Sequence, residues 1–209
     1  MEEAIIIEKS IIIVAVFAIT MLFAMYCTLA ERKIAAWIQD RRGPNRAGPG
    51  GVFQPLADGL KLFAKEEFMP NTPNTFLFVL GPFISMTMAL MTSAVIPWGK
   101  TLEIGGRKVI LQAADINVAM LYVFAVLSVS VYGIMIGGWA SNNKYSLISA
   151  MRVASQMISY EIAMGLSIVA ILMMHSSMSL SDIAAGQHEM HWNIFYQPLG
   201  FFIFLICSF

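Results

Sequence analysis

Residues 116–139 have the sequence INVAMLYVFAVLSVSVYGIMIGGW, which contains no charged side chain. An α-helix needs about 20 apolar residues to cross about 30 Å of hydrocarbon, and this stretch is long enough. Gly133 and Gly137 are four residues apart and are followed by Gly138. Small residues at this spacing let two membrane helices approach closely. The stretch therefore predicts a membrane-spanning helix that packs on a neighbour through its glycines.

Four further apolar segments flank this one, at residues 11–29, 76–96, 153–174 and 194–209. The first three are long enough to cross a membrane, and the fourth is interpreted as part of a span. The predicted fold is therefore all-α, a polytopic bundle of transmembrane helices. We expect residues 1–209 to form a single membrane domain, with a loop over residues 31–73 between the first two spans.

The composition supports a membrane protein. Hydrophobic residues make up 58% of the 209 residues and charged residues only 12%, whereas soluble domains contain about 25% charged residues. The 13 cations and 13 anions cancel, so no general attraction for nucleic acid is expected. Cys27 and Cys207 suggest neither a disulfide framework nor a metal site. His188 and His191 lack the spacing of a zinc protease motif, and no metal site is predicted.

The positive charges predict the orientation in the membrane, because cytoplasmic loops are enriched in Lys and Arg. With the N-terminus outside, the inner loops hold nine cations: Arg32, Lys33, Arg41, Arg42, Arg46, Lys61, Lys65, Lys144 and Arg152. The outer side then holds four, which are Lys9, Lys100, Arg107 and Lys108. We therefore expect the 31–73 loop to lie in the cytoplasm or its organellar equivalent.

The 31–73 loop has an ordered pattern of its own. Two groups of turn-forming residues occur in it, Gly43-Pro44-Asn45 and Gly48-Pro49-Gly50-Gly51. After Pro55, the spacing predicts an amphipathic interfacial helix. Its apolar face would consist of Leu56, Leu60, Phe63 and Ala64, and its charged face of Asp58, Lys61 and Lys65.

Two interpretations of this loop remain open. Its lysines could anchor the chain by meeting lipid phosphates. Alternatively, the loop could form the polar wall of a site at membrane depth. Arginine-rich turns beside Trp37 and an apolar entrance would suit a substrate with a polar head and an apolar tail.

Two acids are candidates for proton traffic. Glu161 is the one charge within a predicted span, where a lone ionised acid costs about 2.5–3.5 kcal/mol or more. If its helix begins near Val153, Glu161 lies about 12 Å along the axis. Such acids mark proton or ion routes more often than structural accidents. Asp115 precedes residues 116–139, and it is either an acid at the N-cap or in the first turn of that helix, or part of a proton route.

Two ordered motifs connect the chain with a known family. The first consists of Glu31-Arg32-Lys33, Gly43-Pro44-Asn45-Arg46, Gly48-Pro49, Leu56-Ala57-Asp58 with Lys61, and Lys65-Glu66. The second consists of Trp139-Ala140-Ser141-Asn142, Lys144-Tyr145, Arg152 and Gln156-Met157-Ile158-Ser159-Tyr160-Glu161. Together they resemble the H subunit of NADH-quinone oxidoreductase, the respiratory complex I, over essentially the whole chain.

The resemblance implies a membrane subunit that helps to build a quinone chamber and to couple quinone reduction to proton translocation. Glu31, Arg32, Asp58 and Lys61 would lie near the quinone path, with Trp37 as a fifth candidate beside them, and Glu161 would match an acid of the proton route. The subunit would not be catalytic alone. Its partners would be the other membrane-arm and peripheral-arm subunits, quinone and the lipid bilayer, in a bacterial inner membrane rather than an organelle.

Flavin mononucleotide and iron–sulfur clusters are expected in partner subunits, because two cysteines cannot supply the usual four ligands of a cluster. No cofactor is expected on this chain. The family usually continues after the residues that match Phe209, with an acid-rich loop and further helices that this chain lacks. The alternatives are an equivalent subunit of an energy-converting hydrogenase or of a ferredoxin- or plastoquinone-linked relative, and a stand-alone ion carrier that uses Glu161.

Overall fold

A computed structural model describes residues 2–99, 101–104, 107–188 and 191–208. Lys100, counted above among the outer cations, and Phe209, the end of the last apolar segment, lie outside the described residues. The chain divides into two compact units, with the boundary in the sequence between Met69 and Pro70. Each unit is described by itself below.

The first unit consists of two helices and the loop between them. Helix α1 covers Glu2–Ile38 and helix α2 covers Gln54–Phe63, with a single 3-10 turn at Pro49–Gly51. At 1.5 Å per residue, the 37 residues of α1 extend about 56 Å, well beyond the thickness of the hydrocarbon. The last turns of α1 therefore have the length to carry polar residues out of the lipid.

The second unit contains the remaining helices and one short hairpin. Its helices are α3 at Thr75–Ser93, α4 at Ala119–Ala140, α5 at Lys144–His175, α6 at Leu180–Ala185, α7 at Asn193–Tyr196 and α8 at Pro198–Ser208. Strands β1 at Thr101–Ile104 and β2 at Arg107–Ile110 pair antiparallel, with Thr101 opposite Ile110.

The predicted helical membrane fold is confirmed. Four of the described helical segments are long and apolar enough to cross a membrane: Lys9–Ile38, Thr75–Ser93, Ala119–Ala140 and Lys144–His175. Helix α8 is apolar but shorter. The β1–β2 hairpin is an addition that the long apolar segments do not predict. Its signal in the sequence is the turn-forming pair Gly105-Gly106 between two four-residue runs.

The predicted close packing through glycines is confirmed between α3 and α4. A Cβ atom placed on Gly81 would lie 2.8 Å from the carbonyl oxygen of Gly133 and 2.9 Å from Cα of Gly137. The Ser85 hydroxyl donates to the carbonyl of Ser130 across the same contact, at 3.2 Å. The absent side chains therefore bring the two backbones into direct contact.

Helix α5 begins earlier than the apolar pattern suggested. The side chain of Asn143 accepts from the backbone N–H of Tyr145 and caps the helix, so that α5 starts at Lys144 and not near Val153. Glu161 is therefore seventeen residues into a 32-residue helix, about 25 Å along its axis. The expected helix start near Val153 was wrong, so the acid lies near the middle of the helix and not about 12 Å along its axis.

The nine-to-four distribution of cations gives a testable orientation. With Cys27 and Cys207 replaced by alanine, a membrane-impermeant thiol label should reach Glu67→Cys only from the cytoplasmic side. It should reach Gln187→Cys only from the outside. Both positions are exposed, whereas Gly51 is buried at φ 81° and would not accept a side chain. Labelling of the two sites from the opposite sides would reverse the orientation.

Candidate functional sites

A polar cluster joins α1 to α2 in the first unit, and we name it the Arg32–Asp58 cluster. The guanidinium of Arg32 donates to Oδ2 of Asp58 at 2.5 Å, and the amide of Gln54 donates to Oδ1 at 3.1 Å. Gln54 is one helical turn before Asp58, and Lys61 is one turn after it. Both oxygens of the Asp58 carboxylate are therefore occupied, and two cations lie beside it.

The cluster keeps Asp58 ionised. The hydrogen bond from Gln54 lowers the pKa of Asp58 most, and partial desolvation acts in the opposite direction. The hydrogen bond and positive charge of Arg32 lower this pKa further, and the charge of Lys61 adds a smaller effect. The net pKa lies below the usual value for an aspartate. Asp58 is therefore a fixed negative charge near neutral pH.

Lys33, the residue after Arg32, binds the glycine-containing turn at residues 48–51, which we name the glycine turn. Its ammonium group donates to the carbonyl oxygen of Gly50. Gly51 is buried at φ 81°, and a Cβ atom there would lie 2.7 Å from the carbonyl carbon of Pro44. Only glycine fits this position without strain. Two consecutive cations of α1, Arg32 and Lys33, thus fix α2 and the turn that leads to it.

A cavity of about 440 Å³ opens beside this cluster. It is lined by Thr28, Glu31, Arg32, Ala35, Arg41 and Pro44. Its wall combines an acid and two arginines with small uncharged side chains. A cavity of this size and polarity could accept the polar part of a small molecule.

The structure brings together four of the five residues predicted for the quinone path. Glu31 and Arg32 line one cavity, and Arg32 links them to Asp58 and Lys61. Trp37 is not part of this group. It lies six residues after Glu31, about 240° around the helix, and its side chain is 84% exposed.

Two residues in or beside the cluster were missed by reasoning from the sequence. They are Lys33, which holds the glycine turn, and Gln54, which bonds to Asp58. Gln54 stands four residues before Asp58, the spacing of facing side chains on a helix, so the sequence carried a signal for it. The contact of Lys33 with a backbone carbonyl has no such signal.

The loop helix α2 occupies the place predicted for an amphipathic helix. Its charged side chains Asp58 and Lys61 belong to the Arg32–Asp58 cluster. Its large apolar side chains are exposed in the isolated chain, Leu56 by 54%, Leu60 by 64% and Phe63 by 92%. An interfacial location for this helix remains a prediction.

The second candidate site surrounds Glu161. The hydroxyl of Ser128 on α4 donates to Oε2 of Glu161 on α5 at 2.9 Å. Both residues line a cavity of about 480 Å³ whose other walls include Phe124, Ile162 and Gly165. Among the described residues, no cation lies within ion-pair distance of Glu161. Its observed partner is therefore a neutral hydroxyl.

Asp115 lies in a different hydrogen-bonded group. The hydroxyl of Ser181 lies 2.7 Å from Oε1 of the buried Gln112 and 3.3 Å from Oδ1 of Asp115, and these two oxygens share its one proton as acceptors. Helix α4 begins at Ala119 with Val118 at its N-cap. The interpretation of Asp115 as an N-cap or first-turn acid was therefore wrong. Residues 116–118 separate the acid from the helix, and its partner is on α6.

The fold and these sites define a class of protein first. Four described helices have the length and hydropathy to cross a membrane, and acids and arginines lie at cavities beside or within them. The chain is a polytopic integral membrane protein of the helical type. Comparison with known families is more specific: a family described as NADH dehydrogenase matches residues 11–209. The chain belongs to this family.

Relatives of high identity carry one name. The chain is 69% identical over all its 209 residues to the NADH-quinone oxidoreductase H subunit of Flavobacterium johnsoniae and covers 60% of that protein. It is equally identical to the H subunit of Flavobacterium psychrophilum, of which it covers 61%. A third H subunit, from Cytophaga hutchinsonii, is 61% identical over 97% of the chain, which covers 59% of it. The predicted resemblance is confirmed, and the chain spans about 60% of the length of these relatives.

Proposed function

We propose that the chain is part of a membrane subunit of a proton-pumping NADH-quinone oxidoreductase. In this proposal the Arg32–Asp58 cluster and its cavity form one wall of the quinone chamber, and Glu161 carries protons coupled to quinone reduction. The chain is not catalytic alone. The observation that carries the proposal is the Arg32–Asp58 ion pair, which sets fixed charges beside a cavity at the end of a membrane-length helix.

The chemistry of a quinone suits this arrangement. A quinone has polar carbonyl oxygens on its head and an apolar tail, and its reduction places negative charge on those oxygens. Arg32 and Lys61 provide positive charge for the head, and their own charge is balanced in part by Asp58. The exposed apolar face of α2 offers a surface for the tail at the edge of the lipid.

The same proposal accounts for the partners and cofactors. The large apolar side chains of α1, α3 and α5 are mostly exposed in the isolated chain, and we assign these surfaces to lipid and to other subunits of the membrane arm. The polar loop would face the peripheral arm. Flavin mononucleotide and iron–sulfur clusters would be held by partner subunits, since this chain has two cysteines.

The names of the relatives favour this proposal over the alternatives. The three relatives described above are NADH-quinone oxidoreductase subunits, not hydrogenase subunits or ion carriers. They come from bacteria, which supports a location in the bacterial cell membrane. The distribution of cations supports an external N-terminus with the 31–73 loop in the cytoplasm.

Replacement of the central acid tests the proposed quinone wall. In the assembled complex, Asp58→Asn should lower the rate of quinone reduction about five- to thirtyfold, because loss of a charge-assisted hydrogen bond costs roughly 1–2 kcal/mol in positioning Arg32. NADH oxidation with an artificial hydrophilic acceptor should change little, since that reaction bypasses the quinone. Both rates are measured on the same membranes.

Asp40→Asn is the matched control. It makes the same change of an acid to an amide on an exposed residue of the same unit, and asparagine tolerates the positive φ of 50° at this position. The control should reduce quinone at the normal rate. Equal loss of both activities in Asp58→Asn would contradict the quinone wall and support a role as an anchor needed for assembly.

A further inference from the structure

The hydroxyl of Ser128 on α4 has a titratable partner. Nine other described hydroxyls of the spanning helices donate to a carbonyl three or four residues earlier, as is usual in membrane helices. They belong to Thr20, Thr28, Thr87, Thr92, Ser93, Ser130, Ser155, Ser159 and Ser167. The hydroxyl of Ser85 crosses to another helix but meets a backbone carbonyl there. Ser128 donates to the carboxylate of Glu161 on the next helix.

The packing of α4 on α5 places the two residues opposite each other. Near the turn between these helices, a Cβ atom on Gly138 would lie 3.2 Å from the carbonyl oxygen of Ser146 and closer still to Ala150. Ser128 is ten residues from Gly138, and Glu161 is eleven residues from Ala150. At 1.5 Å per residue, both lie about 15–17 Å from this close contact. The tight turn and small residues therefore determine which residue of α4 meets Glu161.

We propose that Ser128 is a positioning residue for Glu161, and that its hydroxyl holds the carboxylate toward the cavity. This inference rests on the proposed role of Glu161 as a proton carrier. A serine hydroxyl suits the task because it donates to a carboxylate and, after rotation, accepts from the protonated acid. The acid therefore keeps a partner in both states, and releases or takes up a proton without an unsatisfied polar group in the membrane.

No other titratable side chain lines this cavity among the described residues. The titratable side chains on the helices packed against α5 are Tyr122 and Tyr132 on α4, Asp182 on α6 and Cys207 on α8. Those on α5 itself, besides Glu161, are Lys144, Tyr145, Arg152, Tyr160 and His175. The contact with Ser128 is thus the specific polar influence on Glu161 that the structure shows.

The test uses the full-length subunit in the assembled complex. The infrared band of the protonated Glu161 carboxyl group is identified by its loss in Glu161→Gln. Ser128→Ala should shift the frequency of this band, because the carboxyl group loses its hydrogen-bond partner. Ser128→Thr, which keeps the hydroxyl, should restore the native frequency.

Ser130→Ala is the matched control, since its hydroxyl lies on the same helix but donates to its own backbone at Leu127. It should leave the band unchanged. If Ser128→Ala fails to assemble, Ser128→Cys keeps similar volume with a weak donor and should show the same shift. An unchanged band in these variants, or an equal change in Ser130→Ala, would overturn the proposal. The infrared result does not depend on pumping, so failure of the proton route itself would appear separately, as normal pumping by Glu161→Gln.

Discussion

Glu161→Gln should reduce proton pumping at least tenfold in vesicles that contain the assembled complex. Glutamine keeps the volume of glutamate and can still bond to Ser128, but it cannot release or take up a proton. Packing of α4 on α5 should therefore survive while proton transfer fails. Quinone reduction should also slow, because the two processes are coupled in the proposed function. Pumping is measured as protons moved per electron, together with the rate.

Glu161→Asp provides the comparison for this variant. Aspartate keeps the titratable group but is shorter by one methylene, so it should retain part of both activities. The amount of assembled complex shows whether either variant has a packing defect. If Glu161→Gln assembles and pumps with the normal ratio and rate, Glu161 is not an obligatory carrier and the proton route through α5 must be abandoned.

The helical fold could be predicted because the membrane imposes a simple rule on the sequence. Backbone groups in lipid must bond within their own segment, so a long apolar stretch without charges is a helix. The stretch at 116–139 becomes α4, and its Gly133 makes the expected close contact with α3. Hydrophobicity alone does not determine where a helix begins, however. The start of α5 at Lys144 depends on the cap by Asn143, which lies well outside the apolar segment.

The candidate sites were predictable only in part. Charge clustering in the 31–73 loop pointed to Arg32 and Asp58, but pairing across 26 positions depends on how α2 folds back on α1. Trp37 was grouped with these residues by proximity in sequence, and the helix turns it away. Similarly, Glu161 was evident as a charge in a span, whereas Ser128 was not, because its role depends on the register of two helices. Contacts between helices follow from packing, which a single sequence does not display.

Gly133→Ala should lower the amount of assembled, detergent-stable subunit at least tenfold. A Cβ atom at this position would lie 2.6 Å from the carbonyl oxygen of Gly81 and 3.0 Å from the backbone nitrogen of Ser85. Because both are backbone atoms, no side-chain rotation relieves the overlap, and α3 and α4 must move apart. Overpacking of this kind costs about 1–3 kcal/mol, and more where the backbone must shift. The measurement is the yield and thermal stability of the complex in mild detergent.

Gly137→Ala, four residues later on the same helix, is the matched control. Apart from the nearby backbone of its own helix, a Cβ atom on Gly137 would meet no atom within 4 Å, although the backbone of Gly137 lies close to Gly81. Gly137→Ala should therefore leave yield and thermal stability close to normal, and it should favour the helix slightly, since alanine is the better helix former. Equal losses from the two variants would mean that helix propensity or a partner protein, and not the contact of α4 with α3, explains the glycines. A large loss in Gly133→Ala alone would show that glycine is needed at position 133, because an added methyl group there meets the backbone of α3.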